Sequence, residues 1–464
     1  MSRGRAFVTG MVAALVLLGV AELVGGLLAQ GGVRASPLAA IAGWAVGIAP
    51  AWARELAIAW FGTADKLVLV LAIGAAALAV GGLVGLVVRE LAAGRRARQP
   101  ADEPPAAPIS RRRFLLRAGG AAVLGVLAAA GGAAMSGLLR AGNAAATALR
   151  LPTPARSAAP VPAAAELGIP GLAPVVTPNA EFYRVDTAWI VPTIAPEDWR
   201  LRIHGLVERE LELDWAALTE LDFEEFDVTL MCVSNPVGGP YIGNARWLGT
   251  RLRPLIERVA PAAEADMVLS TSSDGWTAST PLTALRDPDR AAILAVAMNG
   301  EPLAPEHGAP VRMVVPGLYG YVSATKWVVD LEVTRFDRAE AYWTGLGWAP
   351  RGPVKIESRI DVPHGGAVLA AGRQPIAGVA WYQHTGIDGV EVQVDDGPWE
   401  PAELAEAIGI DTWVQWRRDW DAAPGEHRLR VRAIGADGTV QTGDRVGTIP
   451  DGATGWHEVD VRVE

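Results

Sequence analysis

The chain is short of cysteine and of lysine. Its 464 residues include a single cysteine, Cys232, and lysine only at Lys66, Lys326 and Lys355. One cysteine excludes an internal disulfide, a multi-thiolate zinc site and a Cys-ligated iron–sulfur cluster. It also excludes a Cys-x-x-Cys-His haem attachment site. We therefore expect neither haem nor an iron–sulfur cluster.

Positive charge is scarce in the larger part of the chain. Residues 1–150 hold 15 Lys and Arg against 6 Asp and Glu, whereas the remaining residues hold 26 against 45. An acidic surface repels phosphate backbones, so nucleic acid is not an expected partner.

Charge is also nearly absent from three long apolar runs near the N-terminus. Residues 6–29, 67–88 and 118–139 are each long enough to cross a bilayer. Residues 38–61 mix Pro50, tryptophan and charged residues, which is typical of a helix at the membrane interface. Whether 38–61 also spans the membrane is left open.

Arginine placement predicts the topology of this membrane anchor, residues 1–140. Arg3 and Arg5 precede the first run, and a cluster of arginines between 89 and 117 separates the second run from the third. Because basic loops stay cytoplasmic, an even number of spans should separate the two clusters. We therefore expect a multi-pass cell-membrane protein, in contact with lipid, whose residues after 139 are extracytoplasmic.

The segment SRRRFL, residues 110–115, resembles a twin-arginine export motif followed by an apolar stretch. The alternative is a plain stop-transfer arginine cluster, and processing of the anchor is left open. Residues 141–178 are rich in Ala, Pro and Ser, which predicts an extended linker.

Beyond residue 178 the pattern changes to short strands with few helices, which predicts an α+β domain over 179–343. We expect strands at 199–207 and 327–333 and a helix at 251–259. A hairpin or a close connection is predicted between two strands, 291–298 and 311–315, with Asn299-Gly300 after the first strand.

From residue 344 to 464, short strands joined by Asp-Gly and Pro-Gly turns predict an immunoglobulin-like β-sandwich. Strands are expected at 376–382, 390–394, 413–416 and 428–433. The tryptophans expected to form its core are Trp381, Trp399, Trp413, Trp416 and Trp420.

The lone cysteine closes a predicted strand. Phe226, Val228, Leu230 and Cys232 alternate with a second set, Asp227, Thr229 and Met231, and a loop rich in Gly and Pro follows. Most unpaired cysteines are small buried hydrophobes. A strand end beside a glycine-rich loop is, alternatively, a suitable place for a ligand.

The order of motifs from residue 177 to 464 resembles the sulfite oxidase family of molybdenum-cofactor oxidoreductases. The segments that carry the resemblance are TPN at 177–179, FYR at 182–184, LMCVSN at 230–235, GNARW at 243–247, MNGEPL at 298–303, HG at 307–308, PVR at 310–312 and VPG at 315–317 through Lys326-Trp327.

The resemblance implies that Cys232 is the thiolate ligand of molybdenum, beside the dithiolene of one molybdopterin. A soft anionic sulfur suits such a metal. The other residues that it implies for cofactor binding are Asn179, Phe182, Tyr183, Arg184, Ser234, Asn235, His307, Arg312, Ser323, Ala324, Thr325 and Lys326.

The loop after the cysteine departs from the family pattern. Sulfite oxidases usually carry arginine there, whereas residues 233–240 have no positive charge. Arg184 and Arg246 are the expected substitutes, with Tyr319, Tyr321 or Trp276 lining the pocket. The predicted catalytic set is Cys232, Arg184, Arg246 and Tyr321.

The function that the resemblance implies is two-electron oxygen-atom transfer by a membrane-anchored extracytoplasmic enzyme. Its substrate would be a small oxyanion or oxide, with a separate electron-transfer partner or quinone, and a homodimer is a further expectation. The alternatives are a sulfoxide or other oxide reductase, and a non-catalytic membrane receptor that reuses the fold.

Overall fold

The computed structural model describes residues 2–28, 65–96, 112, 116, 119–123, 150–188 and 191–464. Its contacts divide the chain into two units. The first comprises Met1–Ala148 and Thr187–Thr193, and the second comprises Leu149–Asp186 and Ile194–Glu464. The finer domain boundaries expected at 178 and 343 stay predictions.

The first unit contains two long helices, α1 (Arg3–Leu28) and α2 (Asp65–Arg96). Both include a stretch long and apolar enough to cross a membrane, Arg3–Ala21 and Ala72–Leu91. Core helices and signal sequences share this length and composition. The two helices overlap the first and second predicted spans.

The seam between these helices includes several glycines, and the ring of Phe7 packs on one of them, Gly82. A methyl group added at Gly10 would overlap the backbone of Gly81, and one added at Gly85 would overlap the carbonyl oxygen of Ala6. Close backbone approach through glycine is typical of paired membrane helices. The predicted third span 118–139, interfacial segment 38–61 and export-like motif 110–115 lie wholly or mostly outside the described residues.

The second unit begins with a mixed α+β part. Its strands are β1 (Arg200–Gly205), β2 (Leu211–Asp214), β3 (Glu224–Met231), β4 (Ile242–Arg251), β5 (Met267–Ser272), β6 (Thr277–Pro281), β7 (Ile293–Met298), β8 (Glu301–Pro302), β9 (Arg312–Val314) and β10 (Val328–Thr334). Its helices are α3 (Trp215–Thr219), α4 (Leu252–Val259), α5 (Leu282–Arg286) and α6 (Gly320–Ser323). The strands predicted at 199–207 and 327–333 and the helix at 251–259 are confirmed.

Two sheets form this part. One has the order β2-β1-β10-β5-β6, in which β1 and β10 are parallel. The other has the order β3-β4-β7-β8, with β9 paired to β7. Asn299 and Gly300 both have positive φ, 52° and 79°, as a two-residue hairpin turn requires. The turn therefore joins β7 to β8 and not directly to the predicted partner at 311–315, although β9 in that segment also pairs with β7.

The C-terminal part contains two further sheets. Its strands are β11 (Glu357–Val362), β12 (Val368–Leu369), β13 (Gly372–Trp381), β14 (Ile387–Val394), β15 (Glu400–Pro401), β16 (Glu403–Leu404), β17 (Val414–Ala422), β18 (Gly425–Gly435) and β19 (His457–Val463). The sheet orders are β11-β13-β17-β16 and β12-β19-β18-β14-β15. Ile376 and Trp416 of the first sheet and Val392 and Val431 of the second share one apolar core.

The prediction that five tryptophans build this core is wrong for three of them. Trp416 and Trp420 belong to it, but Trp381 and Trp413 belong to the apolar core of the α+β part. Trp413 lies against the α+β part, where its backbone N–H donates to Thr229 Oγ1 at 2.8 Å. Trp399 instead packs edge-to-face on Trp456, with ring centroids 4.8 Å apart.

Residues 150–178, part of the predicted linker, belong to the second unit and include one 3-10 helix, Ala163–Ala165. The N–H of Ala155 donates to Phe223 O at 2.7 Å, and Gln415 Nε2 donates to Ala173 O and to Glu166 Oε1, both at 2.8 Å. This segment therefore contacts both the α+β part and the C-terminal sheets.

Candidate active site

Cys232 directly follows β3, as the alternation predicts. Its N–H donates to Tyr241 O at 2.9 Å, and its carbonyl accepts from the N–H of Asn235 at 3.0 Å. The thiol is half-buried and lies 3.0 Å from Ser234 Oγ. Burial raises the pKa of this thiol, whereas the hydrogen bonds from Ser234 lower it. A metal cation is the kind of group that would hold such a thiol as thiolate.

The loop after Cys232 is closed by Asn235. Its Oδ1 accepts from the N–H of Tyr241 at 2.7 Å, while its buried Nδ2 has no hydrogen-bond partner in the part of the chain that the structure describes. A buried amide without a partner is uncommon in native proteins and suits an acceptor supplied by a ligand.

Aromatic rings form one wall near the cysteine strand. Phe182 is buried and stacks on Tyr183 with centroids 5.3 Å apart. Its other contacts are edge-to-face, with Trp247 at 5.7 Å and His307 at 5.9 Å. A methyl group at Gly243 would come within 2.9 Å of the Phe182 ring, so glycine permits this packing.

Tyr183 lies near both the thiol and Arg312. Its pKa is raised, first by burial and then by Cys232, and Arg312 opposes the shift. A methyl group at Gly320 would lie 3.6 Å from Met231 O and 3.8 Å from the Tyr183 hydroxyl. The first residue of α6 therefore separates the phenol from the end of β3.

Arg312 is a buried cation without a carboxylate. Its guanidinium donates to His307 O at 3.1 Å, to Ala324 O at 3.3 Å and to Met313 O at 3.4 Å. No ion pair to it is present among the described residues. Burial lowers its pKa to about 10. Because a buried charge is costly unless paired, this guanidinium is suited to an anionic ligand.

His307 is a neutral neighbour of Arg312. Burial, then Arg312, lowers its pKa to about 4. Its Nε2 lies 3.3 Å from Asn179 O, an acceptor, so we assign the ring proton to Nε2 from this contact.

Lys326 and Arg184 meet at one carboxylate that the sequence interpretation missed, Asp186. Its Oδ2 accepts from Lys326 Nζ at 2.8 Å and from Arg184 Nε at 3.0 Å. Burial lowers the pKa of Lys326 to about 8, although Asp186 raises it. The position of Asp186 two residues after Arg184 was the only feature of the sequence that could have indicated this ion pair.

Residues 323–325 link Arg312 to the sheets. Ser323 Oγ donates to Leu318 O and Tyr319 O, both at 3.0 Å. Thr325 Oγ1 lies 2.6 Å from Ser270 Oγ of β5, and the Thr325 carbonyl accepts from the N–H of Met313. The structure therefore brings Ser323, Ala324, Thr325 and Lys326 to Arg312.

Asn179 lies on the other side of His307. Its Nδ2 donates to Glu301 Oε2 at 2.8 Å, and Asn299 Nδ2 donates to its Oδ1 at 2.8 Å. A cavity of about 140 Å³ adjoins it, lined by Asn179, Ala180, Met298, Glu301, Pro302, Ala304, Glu306 and His307. Cys232 is not part of this cavity wall.

Arg246 is not brought to the thiol. Its guanidinium donates to Asp227 at 2.8 and 3.0 Å and to Ala159 O at 2.6 Å. Arg246 pairs with Asp227, four positions before Met231, which corresponds to roughly 13 Å along the strand. This contact favours a structural role over the predicted catalytic one.

Tyr321 also has its contacts away from Cys232. Its hydroxyl donates to Ala349 O at 2.5 Å, and its ring packs against Trp348. Of the four predicted catalytic residues, the structure therefore leaves Cys232 and Arg184 beside the cofactor-binding group.

Comparison with known proteins finds one matching family and several relatives. Residues 188–343 match the family described as oxidoreductase molybdopterin binding domain. The chain is 29% identical over 340 residues to mouse mitochondrial sulfite oxidase, a match that covers 62% of each chain. It is 32% identical over 154 residues to the uncharacterized oxidoreductase YuiH of Bacillus subtilis, which covers 33% of this chain and 74% of that protein.

A third relative is the NADPH nitrate reductase of Aspergillus niger. The identity is 31% over 179 residues, which is 34% of this chain and 20% of the fungal enzyme. The chain thus spans less than two thirds of the mouse and fungal relatives.

Proposed function

Since the chain belongs to the sulfite oxidase family of molybdopterin oxidoreductases, we propose that it is a membrane-anchored, extracytoplasmic member that transfers an oxygen atom to or from a small oxyanion or oxide. The observation that carries this proposal is the buried Arg312, which has no carboxylate partner among the described residues. Together with neutral His307 and Lys326 it fits the phosphate end of molybdopterin.

The metal end of the cofactor fits Cys232. The thiol stands at the end of β3 beside the Asn235 amide, and the aromatic wall of Phe182 and Tyr183 approaches the same strand end. Bound molybdenum would supply two-electron redox chemistry. The chain's own residues would orient the cofactor, tune the metal through the thiolate and position the substrate.

Arg184 is the residue that we assign to substrate binding. Its Nε is fixed by Asp186, and its side chain is 45% exposed. Its two Nη nitrogens have no hydrogen-bond partner among the described residues and can reach an oxyanion. Oxidation of sulfite to sulfate takes one oxygen from water and releases two protons and two electrons, which a separate partner or quinone would accept.

Reduction of an oxide is the second candidate. The uncharged loop at 233–240 and the similarity to a nitrate reductase favour it. The same two electrons and two protons would then enter, and water would leave.

The remaining assignments are parts of this proposal. We assign α1 and α2 to the membrane because of their length, composition and glycine seam. We assign the two C-terminal sheets to an immunoglobulin-like domain because they share one core. That this domain mediates a homodimer is proposed from the family resemblance alone.

The test is anaerobic turnover of purified full-length protein made in a host that synthesises molybdopterin. We expect molybdenum in stoichiometric amount and sulfite-dependent reduction of an electron-accepting dye. Oxidation of a reduced dye by nitrate or a sulfoxide, without sulfite oxidation, would establish the second candidate. Protein with no molybdenum and neither activity would support the receptor alternative.

A further inference from the structure

The loop that follows Cys232 is held by two residues of the C-terminal sheets. Arg359 of β11 donates from Nη1 to Gly239 O at 3.0 Å. His457, the first residue of β19, packs so closely on Gly238 that a methyl group there would overlap its ring. Both contacts fall within residues 234–240, the uncharged segment beside the thiol.

The Arg359 guanidinium is fixed on its other side. Its Nε donates to Asp361 Oδ1 at 2.6 Å, and its side chain is only 13% exposed. Asp361 Oδ2 in turn accepts from the N–H of Ala173 at 3.1 Å. This double attachment leaves Nη1 directed at the loop carbonyl.

The His457 ring is fixed by the neighbouring strand. The N–H of Ile360 donates to its Nδ1 at 2.9 Å, so Nδ1 carries no proton and the ring proton belongs to Nε2. Burial, then Arg359, lowers the pKa of His457 to about 4. The ring that contacts Gly238 is therefore neutral.

Backbone shape, rather than charge, distinguishes this loop. Gly238 has φ of 75°, and the N–H of Gly239 donates to Pro236 O at 2.8 Å. Without a cationic side chain, the loop can discriminate substrates through the position of its backbone and of its uncharged side chains, which include Ser234 and Asn235.

We propose that Arg359 and His457 are positioning residues that hold residues 234–240 against the C-terminal sheets and thereby set which substrates reach Cys232. This inference rests on the proposed function. Neither residue contacts the thiol; both act through Gly238 and Gly239.

The first test is hydrogen exchange of the molybdenum-loaded full chain. In Arg359→Gln, exchange of peptides covering 233–241 should rise about fivefold, since the partly buried hydrogen bond to Gly239 O is lost, while β13 and β17 exchange as before. Arg359→Lys should restore part of the protection. Arg373→Gln is the matched control, because Arg373 is an exposed arginine of the same sheet that pairs with Asp419.

The second test is substrate preference. Arg359→Gln and His457→Gln should change the ratio of kcat/KM for sulfite to that for a bulkier sulfur oxyanion by about tenfold, mainly through KM, at unchanged molybdenum content. Gly238→Ala should change the ratio in the same way, because the added methyl group would displace the loop from the His457 ring while His457 itself is unchanged.

Unchanged loop exchange in Arg359→Gln and His457→Gln would overturn the inference, as would an unchanged substrate ratio in all three variants. Equal loss of protection throughout β13 and β17 would also overturn it, because the residues would then only stabilise the sheets. Since exchange is measured without turnover, failure of the proposed function would appear separately, as wild-type protein without activity on any oxyanion or oxide.

Discussion

The carboxylate of Asp186 lies 2.8 Å from the ammonium nitrogen of Lys326, and these side chains are only 5% and 11% exposed. The same oxygen accepts from Arg184, which lies on the exposed side of the group. One acidic residue therefore connects the cation assigned to substrate with a cation assigned to the cofactor.

Asp186→Asn should destabilise the protein by about 3 kcal/mol, because it leaves Lys326 as a buried charge without its partner. The measurement is the free energy of unfolding in urea. Asp337→Asn, which alters an exposed ion pair with Arg335, is the control and should leave stability unchanged. An equal effect of the two substitutions would contradict the importance of burial.

Arg312→Met should reduce cofactor retention by at least about tenfold, since it removes charge-assisted hydrogen bonds to an anion. Molybdenum and pterin content of the purified protein measure this. Arg430→Met changes an arginine that pairs with Glu458 on the C-terminal sheet and should retain both. Full cofactor content in Arg312→Met would mean that the anion is bound elsewhere.

Arg184→Gln and Arg246→Gln should separate substrate binding from folding. The first should raise KM for an oxyanion about tenfold because it removes a charged hydrogen-bond donor. The second breaks the ion pair with Asp227 and should lower stability while KM stays unchanged. If Arg246→Gln raised KM as much as Arg184→Gln, its structural assignment would be incorrect.

Glu357 should make stability depend on pH. Burial raises its pKa to about 8, and neither carboxylate oxygen has a hydrogen-bond partner among the described residues. The folded protein keeps this carboxyl neutral up to about pH 8, whereas the unfolded chain ionises it above its ordinary pKa of 4.5. Stability from this group is thus full at low pH and is lost as pH rises toward 8.

Glu357→Gln should therefore gain stability relative to wild type between pH 5 and pH 8, by a few kcal/mol at most. Thermal unfolding over this range measures the difference. Glu212→Gln, at an exposed position of β2, should show no such trend. A difference between Glu357→Gln and wild type that is constant with pH would refute the neutral buried carboxyl.

Local patterns predicted local structure well. The alternation through Leu230 placed Cys232 at a strand end, and Asn299-Gly300 marked a hairpin because only residues that accept positive φ suit that turn. Ion pairing could not be predicted in this way. The partner of Arg246 depends on the register of β3 with β4, which brings Asp227 opposite it.

Tertiary packing also decided which core each tryptophan joined. Trp413 and Trp416 lie in the same short segment, yet they contribute to different cores because Trp413 precedes β17 and is bound to Thr229. Sequence period assigns a residue to a face, but the neighbouring sheet is set by the whole fold.

Molybdenum K-edge X-ray absorption of wild type and Cys232→Ser tests the assignment of the metal ligand most directly. We expect molybdenum in Cys232→Ser to have one sulfur ligand fewer than molybdenum in the wild type. The dithiolene sulfurs should be retained and turnover should be abolished. Arg246→Gln should keep the wild-type spectrum. An identical sulfur count in wild type and Cys232→Ser, with activity retained, would contradict the role of Cys232 as the metal's thiolate ligand.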